Sequence, residues 1–176
     1  MALRFGILTV SDRSASGERA DVSGPALERV IVEQGWQVTR KEILPDEEFL
    51  LRDALAAWAD AGTLDVILTT GGTGFSPRDR TPEATSAVIE RPAPGLAEAM
   101  RLASLKVTPH AMLSRATAGI RGRALIVNLP GSPKGAVENL NVILPVLAHA
   151  VQLLSEDPGA ESGHSAPGTN QAGTAQ

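Results

Sequence analysis

TTGGTGFSPRDRTPEAT, Thr69 to Thr85, follows directly on the apolar run Val66-Ile67-Leu68. A run this short, with no polar alternation, suits a strand buried on both faces, as strands of a parallel sheet are. It stops at two threonines and opens into Gly71-Gly72-Thr73-Gly74. Glycines permit positive φ and close approach, so backbone N–H groups there can close around an anion, and this loop reads as a phosphate cradle. Asp79 and then Thr81-Pro82-Glu83 follow, setting a carboxylate and the positive end of a helix within a few residues of the cradle. Strand, glycine loop and helix in that order spell an α/β domain. Its expected chemistry is phosphate chemistry, with a metal as an option.

Two more strands read the same way. Phe5 to Val10 ends abruptly at Ser11-Asp12-Arg13, and Ala124 to Leu129 ends in Pro130-Gly131-Ser132-Pro133. Ligands of open parallel sheets collect at the carboxyl ends of strands. Pro130, Gly131 and Ser132, before a Ser-Pro helix start, therefore form a second expected anion site, and two such sites can hold two ends of one ligand. Ser11 and Asp12 either face the same crevice or are ordinary turn residues; spacing leaves both readings open.

Between these strands, Ser14 to Gly24 reads as a flexible polar loop or lid, with a helix starting at Gly24-Pro25. Trp36 to Leu44 reads as an outer strand. Asp46 stands where a helix N-cap belongs, ahead of the apolar face Phe49, Leu50, Ala54, Leu55 and Trp58. Capping is the commoner explanation of such an aspartate; the alternative is a carboxylate on the crevice rim, able to hold Mg²⁺ for a phosphorylated substrate. Helices are expected from Thr81 to Glu90 and from Gly95 to Leu105. Leu113 to Gly122 reads as a strand whose Arg115 and Arg121, with Arg123 just beyond, face solvent or else meet a substrate phosphate. The closing helix carries Val137, Leu140, Ile143, Leu144, Leu147, Val151 and Leu154 on its apolar face and is expected to kink at Pro145. Residues 1–154 make one domain, and residues 155–176, without apolar pattern, are expected to be disordered.

Composition agrees with a single α/β domain. The chain has 176 residues, 43% of them hydrophobic, with three Phe, two Trp and no Tyr, so its core is mainly aliphatic. A net charge of -4 gives no pull toward nucleic acid. Without cysteine there is no disulfide framework or thiolate metal site, and any metal must take oxygen or histidine ligands. Met1-Ala2-Leu3-Arg4 leads straight into a strand pattern, and no uninterrupted apolar run approaches the roughly 20 residues of a membrane span, so a cytoplasmic protein away from membranes is expected.

Taken together, TVSD (Thr9 to Asp12), SGP (Ser23 to Pro25), LPDE (Leu44 to Glu47), the opening stretch, MLSRATAGIRG (Met112 to Gly122) and LPGSPKGA (Leu129 to Ala136) resemble the molybdopterin adenylyltransferases of molybdenum cofactor biosynthesis. The likeness is to the MogA type and to the equivalent G domains of plant and animal fusion proteins such as gephyrin, and it runs over residues 5 to 154. It implies a three-layer α/β/α fold with a mixed, mostly parallel sheet, usually a homotrimer. It also implies transfer of adenylate from Mg²⁺-ATP to molybdopterin, with pyrophosphate released. Asp46 and Asp79 match the family's two required acidic residues, and Mg²⁺ would lie on them; Ser104 and Ser114 match serines that help hold the pterin. A molybdenum insertase is the partner that would consume the product.

Arg80 departs from the family pattern, where valine is common, and could lower the Asp79 pKa or face solvent. The similar MoaB type shares the fold, and a trimer that binds molybdopterin or a protein without turnover is the rival reading; intact Asp46 and Asp79 speak for the enzyme. The chain has neither a Walker A loop nor G-x-G-x-x-G after its first strand, which argues against a P-loop phosphotransferase and a dinucleotide-binding dehydrogenase.

Overall fold

The computed structural model describes residues 2–155, and the expected disordered tail lies outside them apart from Ser155. Four parallel strands, β1 (Arg4–Val10), β2 (Gln37–Leu44), β3 (Val66–Thr70) and β6 (Ala124–Leu129), build the sheet together with the short β4 (Arg91–Pro92) and β5 (Ala118–Arg121). Their order is β2-β1-β3-β6-β5-β4, with β5 antiparallel to both neighbours. The sheet is thus mixed and mostly parallel, as expected.

Strand periodicity sorts the core into two layers. Phe5, Ile7, Val66, Leu68, Leu125 and Val127 point to one face, against Leu27 and Ile31 of α2 (Ser23–Glu33), Met100 of α5 (Pro94–Leu105) and Leu140, Ile143 and Leu147 of α6 (Pro133–Leu154). Leu8, Val10, Ile67 and Ile126 point to the other, against Leu51, Leu55 and Trp58 of α3 (Glu48–Asp60) and Ala84 and Val88 of α4 (Thr81–Val88). Each large apolar side chain removed from water in this way contributes about 1.5–3 kcal/mol. By length (22 residues) and mean hydropathy (1.4) α6 could cross a membrane, but its stripe from Ala136 to Val151 packs on the sheet, which makes it a core helix.

Register sets the site. Thr9 pairs with Thr70, Thr70 with Leu129, and Val10 with Leu44, so four parallel strands end level. Ser11, Pro45-Asp46, Gly71 and Pro130 consequently stand in one row along the sheet edge.

Several local expectations are corrected. Asp46 caps nothing: Glu47 is the N-cap of α3, without a side-chain cap bond. The buried face of α3 runs through Leu51, Leu55, Trp58 and Ala59, leaving Phe49 at 55% exposure. The helix expected at Gly24-Pro25 begins at Ser23, where Asp21 accepts from the Gly24 N–H at 3.0 Å. The polar loop after β1 starts as one helical turn, α1 (Asp12–Ala15), capped by the Ser11 hydroxyl. α4 ends at Val88, giving way to β4. Only Ala118–Arg121 of the strand expected over Leu113 to Gly122 forms one, because a 3-10 turn, Pro109–Leu113, precedes it.

Candidate active site

The glycine cradle is held from behind, with its carbonyls turned into the protein. Gly71 and Gly72 take φ of 111° and 63°, conformations that side chains disfavour. The Gly71 carbonyl accepts from the Thr81 hydroxyl at 2.9 Å and that of Gly72 from the Thr81 N–H at 3.1 Å. The Thr73 carbonyl accepts from the Arg115 N–H at 2.9 Å, and the Gly74 carbonyl from Arg115 Nε at 2.7 Å. All four carbonyls are thereby used, while the N–H groups of Gly72, Thr73 and Gly74 donate to no acceptor among the described residues. A loop built this way offers donors outward, as an anion nest must. The second turn repeats the device. The Pro130 carbonyl accepts from Thr70 and the Gly131 carbonyl from Ser23, and the Ser132 hydroxyl caps α6 by accepting from Gly135 N–H. The close approach of Gly131 to Gly71 leaves 3.2 Å between the Gly71 Cα and a Cβ added at Gly131, so the two turns lean on each other.

Carboxylates converge on this nest. Asp46 Oδ1 is buried, has no hydrogen-bond partner, and sits beside Gly72, where an added Cβ would come within 2.6 Å of it. Burial, and then the negative charges of Asp12 and Asp79, hold the Asp46 pKa above its ordinary value. Asp79 Oδ2 accepts from Ser76 N–H at 2.9 Å and stands beside Gly74. Asp12 accepts from the Asp46 N–H at 3.0 Å and from the Arg78 guanidinium through both oxygens, and hydrogen bonding to Arg78 holds its pKa below the usual carboxylate value. Arg78 also reaches Glu47 at 2.9 Å, and Arg80 reaches Glu48 at 2.6 Å. The triplets Asp46-Glu47-Glu48 and Arg78-Asp79-Arg80 are thus tied together, 78 with 47 and 80 with 48, which leaves the two aspartates unpaired with these arginines. Arg80, the departure from the family pattern, spends its charge on Glu48.

Two cavities share this edge. The larger, about 790 Å³, is lined by Ser11, Asp12, Asp46, Gly71, Gly72 and Asp79, and also by Gly131 and Ser132. The smaller, about 420 Å³, is lined by Thr73, Gly74, Ser104, Ser114, Pro130 and again Ser132. Every site residue singled out in the sequence therefore lies on one of the two, and Ser132 on both. Ser104 Oγ accepts from the Asn139 amide at 3.0 Å, and Ser114 Oγ accepts from the Ala116 N–H at 3.4 Å. The residue that sequence reading undervalues is Arg115, expected to face solvent or else to meet a substrate phosphate. It is instead half-buried behind the cradle, bonded to Gly74, Asp79 and Glu83. Burial raises the Glu83 pKa, but the Arg115 bond and neighbouring positive charge outweigh it, leaving Glu83 below the ordinary value. The only signal in the sequence was its place directly after Ser114.

A level row of strand ends carrying two outward N–H nests and facing carboxylates defines an α/β domain for phosphorylated ligands. The chain belongs to the family described as "Probable molybdopterin binding domain", whose model matches residues 6–149. It is 42% identical over 154 residues to a protein named molybdopterin adenylyltransferase from Helicobacter pylori, covering 86% of this chain and 88% of that one. It is 45% identical over 158 residues to the molybdenum cofactor synthesis protein cinnamon of Drosophila melanogaster, covering 89% of this chain; the match spans only 26% of that longer relative. Among solved structures, the molybdopterin biosynthesis enzyme MoaB of Thermus thermophilus superposes with a TM-score of 0.83 at 53% identity, covering 89% of this chain and 98% of that one. The three-layer α/β/α architecture is that of these neighbours.

Proposed function

We propose that this chain is a molybdopterin adenylyltransferase, acting in molybdenum cofactor biosynthesis as a cytoplasmic homotrimer. The observation that carries the reading is the buried, unpartnered Asp46 Oδ1 beside a nest of free N–H groups, with Asp79 across it. An acceptor left unsatisfied inside a protein costs about 1–3 kcal/mol. A bound ligand, ion or water supplies the missing partner of such an atom. The names of the bacterial relatives, which match over most of their length, support the same activity.

In this reading the larger cavity receives ATP and the smaller one molybdopterin, with Ser104 and Ser114 on the pterin side. A terminal phosphate oxygen of molybdopterin attacks the α-phosphorus of ATP. A new P–O bond forms as the bond to the β-phosphate oxygen breaks, and pyrophosphate leaves with that electron pair. No protein base is required, because a phosphate monoester is already ionised near neutral pH. The work of the chain is to hold both phosphates in line through the Gly72, Thr73 and Gly74 N–H groups and the Gly131-Ser132 turn. Asp46 and Asp79 fit Mg²⁺: Asp46 Oδ1 is a buried acceptor without a partner, and one or two carboxylates plus substrate phosphates is the donor set this ion favours. Bound there, Mg²⁺ would neutralise charge on the triphosphate and on departing pyrophosphate.

Assembly is supported by apolar side chains left exposed on and after α5, Leu102, Val107 and Met112, each more than 60% accessible. A molybdenum insertase is the proposed recipient of the product. The test is release of pyrophosphate and appearance of adenylylated pterin when the protein is given ATP, Mg²⁺ and molybdopterin. Asp79→Asn with wild-type turnover at saturating Mg²⁺ and ATP would refute the assigned role of that residue. The alternative is a MoaB-type or scaffold-like trimer that binds without turnover; calorimetric binding of molybdopterin with no pyrophosphate released would establish it.

A further inference from the structure

We infer that Arg115 is a positioning residue for the transfer reaction: it fixes the Gly74 end of the glycine cradle and the place of Asp79 at the same time. The loop from Gly74 to Asp79 has an exposed middle, Phe75 to Arg78, and few bonds of its own. Its two ends are joined by a single side chain. Arg115 Nε donates to the Gly74 carbonyl at 2.7 Å, and another guanidinium nitrogen donates to the Asp79 carbonyl at 2.6 Å. The remaining nitrogen pairs with Glu83 in the first turn of α4, and the Arg115 backbone N–H holds the Thr73 carbonyl. One rigid, planar fork therefore joins cradle, carboxylate and helix.

Direction matters as much as number. A peptide unit whose carbonyl is held inward presents the N–H of the next residue on its opposite side, so the Arg115 backbone bond to Thr73 aims the Gly74 N–H outward and the side-chain bond to Gly74 does the same for Phe75, while Thr81 sets those of Gly72 and Thr73. The Asp79 carbonyl bond fixes the Cα from which its carboxylate extends. Arg115 lines neither of the two substrate cavities, but a third, of about 500 Å³, that it shares with Ser114 and Glu83; toward the cradle and Asp79 it acts through the carbonyls it holds. The inference rests on the adenylyltransferase reading and on the role given there to Asp79.

The test is a double-mutant cycle on the whole protein, with pyrophosphate release from Mg²⁺-ATP and molybdopterin as readout. Arg115→Ala is expected to lower kcat/KM about 100-fold, the scale of an ångström's misplacement of a catalytic group. Placed in an Asp79→Asn background, the same change is expected to cost less than about threefold, because residues that act as one unit are not additive. Millimolar guanidinium should restore activity to Arg115→Ala by at least about tenfold and leave Asp79→Asn unaffected, since only the former lacks the planar donor. A purely structural role predicts losses that multiply, no rescue and a lowered melting temperature, and that pattern would overturn the inference. Arg115→Ala within about threefold of wild type would overturn it too. If Arg115→Ala does not fold, Arg115→Lys, which keeps the charge but cannot span three acceptors, carries the same cycle. Full activity in Asp79→Asn alone would instead refute the role given to Asp79, and no pyrophosphate release by the unaltered protein would sink the adenylyltransferase reading on which this rests.

Discussion

Gly72 offers a sharp test of how the cradle and Asp46 depend on each other. Replacing it with alanine puts a Cβ 2.3 Å from Thr81 Oγ1 and 2.6 Å from Asp46 Oδ1, at a φ of +63°. The left-handed conformation alone costs an L-residue about 1–2 kcal/mol. Overpacking adds about 1–3 kcal/mol. Thr81 is fully buried, and its hydroxyl is committed to the Gly71 carbonyl, whereas Asp46 Oδ1 has no partner to hold it. Asp46 is therefore the side chain that yields. Gly122 is a matched control, with φ of +55° and no atom within 4 Å of an added Cβ. Gly122→Ala should lose only the conformational part. The difference between the two melting curves isolates the contact, roughly 2–12 °C for a domain of this size. In turnover assays Gly72→Ala should fall about 100-fold, and Gly122→Ala should not fall. If Gly72→Ala melted with Gly122→Ala and turned over like wild type, the placement of Asp46 against the cradle would be wrong.

Three more outcomes follow from the same structure. Because burial and the charges of Asp12 and Asp79 raise the Asp46 pKa in the folded protein, its ionised form costs stability above that pKa, and the cost fades as pH falls through it; Asp46→Asn should raise the melting temperature of the ligand-free protein at neutral pH, with the gain shrinking in acid, while abolishing transfer. A lower melting temperature at neutral pH would contradict this. Asn128 is fully buried, donates to the hydroxyls of Thr69 and Thr85 and accepts from the Thr117 N–H, so Asn128→Ala should cost about 3 kcal/mol in urea unfolding; a loss under about 1 kcal/mol would show that its bonds are replaceable. Arg80→Val restores the commoner family residue and removes only an exposed pair with Glu48, so it should shift stability by less than about 1 kcal/mol; a larger loss would make that pair a fastener of the Asp46 segment.

The sheet and its helices were legible because they obey one-dimensional periodicity. Val66 to Leu68 and Ala124 to Leu129 are apolar on both faces, and the glycine turns after them announce where the strands stop. Errors fell where a local rule met a tertiary competitor. Asp46 has the sequence position of an N-cap, but its backbone N–H is claimed by Asp12, 34 residues away, and its side chain is turned toward Gly72. Arg115 has the alternation of an exposed strand residue, but the 3-10 turn before β5 swings it behind the cradle, onto carbonyls from Gly74 and Asp79.

By itself, then, the sequence determined the buried strands, the two glycine turns after them and the places of Asp46 and Asp79 in the chain, since these depend on neighbours in the chain. Only the tertiary structure decided which side of each loop presents its N–H groups. The strand register that levels Val10, Leu44, Thr70 and Leu129 brings Asp46 to the cradle, and long-range bonds from Thr81 and Arg115 turn the cradle's carbonyls inward. A backbone N–H has no direction until something distant holds the carbonyl opposite it.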